Sequence, residues 1–135
     1  MAGAFILAIS RIRRRLKQLP VADGLPAPEM TALVRLDREG PATSSALAKA
    51  EQMSPQSMQV TVAALEGRGL VERSTDPGDR RRVVLSLTDA GRDAVLHKRA
   101  VRAEQVAAAL ARLTEEEVEA LRAATPVIER LADVL

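Results

Sequence analysis

The sequence predicts a mainly α fold with one small β-hairpin, and three observations predict it. Apolar residues recur at helical spacing over most of the chain, and several Ser or Thr residues stand where helix caps belong. A Val- and Leu-rich stretch at 70–87 is interrupted by the turn sequence Asp76-Pro77-Gly78-Asp79. Composition agrees: 47% of the residues are hydrophobic but only 1% aromatic, so the core must be Leu, Val, Ile, Ala and Met, and Ala and Leu lead the helix propensities. At 135 residues the chain is expected to form one folded unit over 1–135.

Phe5, Ile9, Ile12 and Leu16 recur four and three apart, which places them on one face of a first helix. The cations Arg11, Arg13, Arg14, Arg15 and Lys17 fall largely elsewhere and read as its solvated side. Pro20 and Gly24 end that pattern, and a second helix begins near Pro26 or Pro28, carries Met30, Leu33, Val34 and Leu36, and stops at Gly40 and Pro41. Thr43 or Ser44 can cap a short helix to about Ala50, and Ser54 followed by Pro55 starts another that reaches Gly67 or Gly69. Two short helices joined through Glu51 to Met53 have the spacing of a helix-turn-helix.

On the second of these helices Met58, Val62 and Leu65 form the inward face, leaving a polar outward one. In the hairpin, Val83, Leu85 and Leu87 alternate to one side, Pro77 fixes φ at the second turn position, and Gly78 is expected to take the positive φ of the third. Thr88 caps a long helix reaching about Arg112, and Thr114 with Glu117 forms a capping box for a last one, which Pro126 should kink or split.

Several function classes drop out. With no cysteine there is no disulfide, thiolate nucleophile or thiolate metal site, and the single histidine, His97, has neither histidine nor cysteine to share a metal with. Ser44 and Ser45 lack a His or Lys partner at any motif spacing, and "TEEEVEA" is a helix start favoured by the macrodipole. No enzyme activity, cofactor or metal is expected. The basic run "RIRRRLK" follows the apolar opening where a signal peptide would have it first, so a cytoplasmic protein with no membrane partner is expected.

What needs explaining is the charge beside the hairpin turn. A structural turn has no use for Arg80, Arg81 and Arg82, whereas a duplex does: a slim polar helix suits the major groove, and a guanidinium is favoured in the negative potential of the minor groove next to it. The order of elements is that of a winged helix-turn-helix, residues 26–87, flanked by N- and C-terminal helices at 1–20 and 88–135 whose apolar faces suit dimerisation.

"ALAKAEQMSPQSM", "LEGRGLVER" and above all "DPGDRRRVVLSLTDAG" resemble the MarR family of bacterial transcription regulators, and the resemblance runs over nearly the whole chain. It implies a homodimer with intertwined terminal helices reading a palindromic site in double-stranded DNA, a repressor relieved by a small apolar or aromatic ligand as effector. It also maps the family's Asp-x-Arg wing motif onto Asp79 and Arg81, the arginine reaching the minor groove and the aspartate positioning it. Candidate DNA-binding residues are Ser54, Gln56, Ser57, Gln59, Val60 and Thr61 on the recognition helix and Asp79, Arg80, Arg81 and Arg82 on the wing. Where relatives often carry a mid-helix arginine this chain has Val60, so a second reading stays open: a winged-helix module for protein interaction or ligand binding that no longer reads DNA.

Overall fold

The structure is a computed structural model and describes residues 1–20 and 24–135. They form two compact units, Met1–Ala100 and Val101–Leu135.

The first unit opens with α1 (Ala2–Gln18), which buries none of its residues; Ile9 and Ile12 of the predicted apolar face are exposed, and Phe5 and Leu16 half-buried. After it come α2 (Ala27–Glu39), α3 (Ser44–Ala50), α4 (Pro55–Gly67), β1 (Val71–Asp76), β2 (Asp79–Leu87) and the start of α5 (Asp89–Leu110). The helix starts follow the expected chemistry. Thr43 Oγ1 accepts the N–H of Ala46 at 3.1 Å, and Ser54 Oγ accepts that of Ser57 at 3.1 Å, each satisfying a donor with no partner inside its helix.

The core gathers Leu33 and Leu36 of α2, Leu47 of α3, Met58, Val62 and Leu65 of α4, Val71 of β1, Leu85 and Leu87 of β2, and Val95 of α5. Met58, Val62 and Leu65 are each at most 1% exposed, which fixes the inward face of α4 and therefore the outward one.

The corner between hairpin and α5 explains the Leu87-Thr88-x-x-Gly91 signature that closes the wing stretch "DPGDRRRVVLSLTDAG". Thr88 donates its hydroxyl to the Gly69 carbonyl at 2.6 Å, accepts the N–H of Gly91 at 3.1 Å, and its own N–H reaches the Leu70 carbonyl at 3.1 Å. A Cβ on Gly91 would stand 2.1 Å from that same Leu70 oxygen, so only glycine lets α5 start this close to the strand. The signature is an anchor for the wing.

In the second unit α6 (Glu115–Val134) starts at the predicted capping box, Thr114 Oγ1 accepting the N–H of Glu117 at 3.2 Å and Glu117 accepting that of Thr114 at 2.9 Å. Of the two outcomes expected at Pro126, a kink or a split, the split does not occur: α6 runs through it as one element. Proline forfeits a single donor, and the turn before it gains a bond where Thr125 Oγ1 donates to the Leu121 carbonyl at 2.8 Å. No residue of α6 is buried, and Leu121, Val127, Ile128 and Leu131 are exposed.

Candidate nucleic-acid interface

The turn that joins α3 to α4 is held from several sides. Gln52 adopts φ 54°, the left-handed conformation that ends α3, and the Met53 N–H returns to the Ala48 carbonyl at 2.9 Å. Arg35 of α2 is hydrogen-bonded through Nε to Glu51 in this turn and pairs with Glu39 at 2.9 Å. The Glu51 hydrogen bond, more than any other influence, raises the Arg35 pKa above its ordinary value. A fixed turn fixes the angle at which α4 is presented.

Gln56, Ser57, Gln59 and Val60 of α4 are exposed, as expected. Thr61 is not. The expectation that it faces outward is corrected: Thr61 is 7% exposed, and its hydroxyl donates to the Ser57 carbonyl at 3.2 Å, which lets a polar side chain turn toward the core while keeping a hydrogen bond. Ser54 is exposed, but its hydroxyl serves the helix start, donating to Ser57 Oγ at 2.9 Å as well as accepting the Ser57 N–H.

The hairpin pairs Val71 with Leu87 through Thr75 with Val83 in regular antiparallel register. The register then jumps: the next residue, Asp76, pairs with Asp79. Arg80, Arg81 and Arg82 therefore face no partner on β1 and bulge from the ladder as a unit. Two carboxylates shape this tip. Asp76 Oδ1 accepts the N–H of Gly78 at 2.9 Å, and Asp79 Oδ1 accepts that of Arg81 at 3.0 Å. The expected positive φ at Gly78 is corrected by this geometry, since among the described residues the positive-φ glycines are Gly40 and Gly69. The aspartate side chain closes the turn in place of a left-handed glycine.

Arg82 lies 3.7 Å from Asp76, a weak exposed pairing, while no ion pair engages Arg80 or Arg81 among the described residues. Asp79 thus acts on the backbone of Arg81 rather than gripping its guanidinium.

The wing is tied to the helix-turn-helix at two places. Leu85 and Ala42 exchange both backbone hydrogen bonds, at 2.8 and 3.1 Å, bridging β2 to the residues just before α3. Arg73 of β1 pairs with Glu66 at the end of α4 at 2.7 Å. Between these ties lies an open cleft of about 420 Å³ whose lining includes Ser44, Ser45, Gln59, Arg73, Arg81 and Arg82. Wing cations, helix amide and two hydroxyls thus meet on one surface, which can offer charge and neutral donors to a polyanion. Ser44, Ser45 and Arg73 are not legible as site residues in the sequence. The strand bridge that brings the serines to the wing is a single residue pair with no sequence pattern of its own.

Among the described residues no group of three or more His, Asp or Glu could hold a metal ion, and no helix is long and apolar enough to cross a membrane.

Comparison with known proteins places these features. The MarR family model matches residues 25–83, which span α2 to the wing. The HTH-type transcriptional regulator MT0903.1 of Mycobacterium tuberculosis is 33% identical over 133 residues, 98% of this chain and 93% of the relative. The HTH-type transcriptional repressor NicR of Pseudomonas putida is 36% identical over 63 residues, 47% of this chain and 40% of its own length. The fold is also that of a point mutant of Staphylococcus aureus MepR, solved bound to an oligodeoxyribonucleotide, with a TM-score of 0.68 and 22% identity over 99% of this chain and 97% of that one. Kinship along nearly the whole sequence, a matching family model across the helix-turn-helix and wing, and the winged-helix fold itself together establish that the chain belongs to the MarR family of helix-turn-helix transcriptional regulators.

Proposed function

We propose that the protein is a homodimeric, sequence-specific binder of double-stranded DNA that represses transcription by occupying a palindromic operator. α4 enters the major groove with Gln56, Ser57, Gln59 and Val60, while the bulged tip carries Arg80 and Arg81 to the adjoining minor groove. The observation that carries this reading is the arginine run of the wing, which has no strand partner and whose Arg81 and Arg82 open onto the same cleft as Gln59 of the recognition helix. Arg80 and Arg81, which no ion pair engages among the described residues, destabilise a free monomer slightly by mutual repulsion and gain a counter-charge from a polyanion. The DNA-bound MepR mutant and the repressor name of NicR support the partner and the sign of regulation.

Two-fold symmetry is supported by what each unit leaves uncovered. Ile6, Leu7, Ile9 and Ile12 on α1, and Leu121, Val127, Ile128 and Leu131 on α6, are all exposed large apolar side chains, more than a monomer presents to water without cost.

The test is fluorescence anisotropy with labelled duplexes from the DNA flanking the protein's own gene. Saturable binding that weakens steeply with salt supports the reading. Absence of any salt-sensitive binding overturns it and favours a protein-interaction module.

A further inference from the structure

The outward face of α4 carries no charge. Gln56, Gln59, Val60 and Ala63, spaced as i, i+3, i+4 and i+7, are all exposed, and the first ionised side chain of the helix is Glu66 at its far end, already paired with Arg73. At the centre stands Val60, 72% exposed, far more open than Val83, the other exposed large apolar residue of the winged-helix body at 45%. A β-branched side chain left in water on a helix adds neither propensity nor burial to folding. Its use lies outside the monomer.

In the major groove each base pair shows a distinct edge. The only apolar group among those edges is the C5-methyl of thymine; adenine presents the acceptor and donor that a glutamine amide matches, and guanine presents the acceptors that arginine or lysine match. Here α4 offers amides and methyls and no cation. We propose that Val60 is a specificity-determining residue that packs on a thymine methyl, flanked by Gln56 and Gln59, so that the centre of each half-site is built of A·T pairs. This inference rests on the DNA-binding reading above and adds to it the chemistry of the preferred sequence.

Uracil tests it, because it pairs as thymine does and lacks only the methyl. The full chain is used to enrich a duplex from a random-sequence library, and that duplex is synthesised with thymine or with deoxyuridine at the half-site centres. The wild-type chain is expected to bind the uracil duplex about fourfold more weakly for each thymine methyl removed from beneath a valine. Val60→Ala is expected to bind the thymine duplex more weakly and to show no preference between the two. Since Val60 is exposed, a thermal melt of that variant should match the wild type, and the wild-type comparison stands even if it does not.

Equal wild-type affinity for both duplexes, an undiminished thymine preference in Val60→Ala, or an enriched half-site centred on G·C pairs overturns this inference while leaving the DNA-binding reading intact. If the library yields no enriched, salt-sensitive binder, the DNA-binding reading itself fails.

Discussion

One carboxylate oxygen of Asp79 accepts the backbone N–H of Arg81 at 3.0 Å, across a bulge in which Arg80, Arg81 and Arg82 have no strand partner. The aspartate sets the path of the chain, and the guanidinium of Arg81 takes part in no ion pair among the described residues. An asparagine oxygen can accept the same bond, whereas alanine cannot. Asp79→Asn should therefore keep operator affinity within about twofold, and Asp79→Ala should lose about 1 kcal/mol, the net worth of one hydrogen bond. Anisotropy titrations at fixed salt distinguish this from a direct aspartate–guanidinium grip, for which both variants would fall together.

Binding should also be strongly electrostatic, because the recognition helix brings no cation and phosphate neutralisation must come from the wing and helix ends. If roughly six to ten phosphates are neutralised by a dimer, affinity falls about 10³- to 10⁵-fold between about 50 and 200 mM salt. A titration series over that range measures the slope.

Gly91 makes a prediction about stability alone. A methyl group there meets the Leu70 carbonyl oxygen at 2.1 Å, which α5 can relieve only by moving off the strand corner that Thr88 caps. Gly91→Ala should cost roughly 1–3 kcal/mol, as overpacking at a close backbone approach does. Thermal or urea melts followed by circular dichroism give the value.

The exposed face of α6 predicts the association state. Leu131 is 38% and Ile128 40% exposed, and a carboxylate placed at either would be buried uncompensated in an apolar interface. The wild-type chain should sediment as a dimer at micromolar concentration, and Leu131→Glu or Ile128→Glu should shift it to monomer with its helical circular dichroism largely retained.

Much of this is legible in the sequence because it is local. Thr43, Ser54, Thr88 and Thr114 cap helices through hydrogen bonds that each span three residues, so their spacing alone announces them. The inward face of α4 follows from the period of Met58, Val62 and Leu65. What cannot be read there depends on contacts between distant segments or on a choice among equivalent bonds. The bulge at Arg80 to Arg82 is decided by where Thr75 finds its partner, and the approach of Gly91 to Leu70 is a tertiary fit. Thr61 defeats the expectation because polarity does not require exposure when a carbonyl one turn back satisfies the hydroxyl. Gly78 defeats it because a side-chain oxygen closes the turn as well as a left-handed backbone does.

The central claim is that the freed arginines of the wing are DNA-reading groups, and the affinity of Arg81→Ala for the enriched operator tests it most directly. Arg81 is exposed and takes part in no ion pair among the described residues, so its truncation should leave folding unchanged. Anisotropy at fixed salt should show binding weakened by roughly 1–3 kcal/mol relative to wild type. Unchanged affinity in a folded dimer would contradict the account.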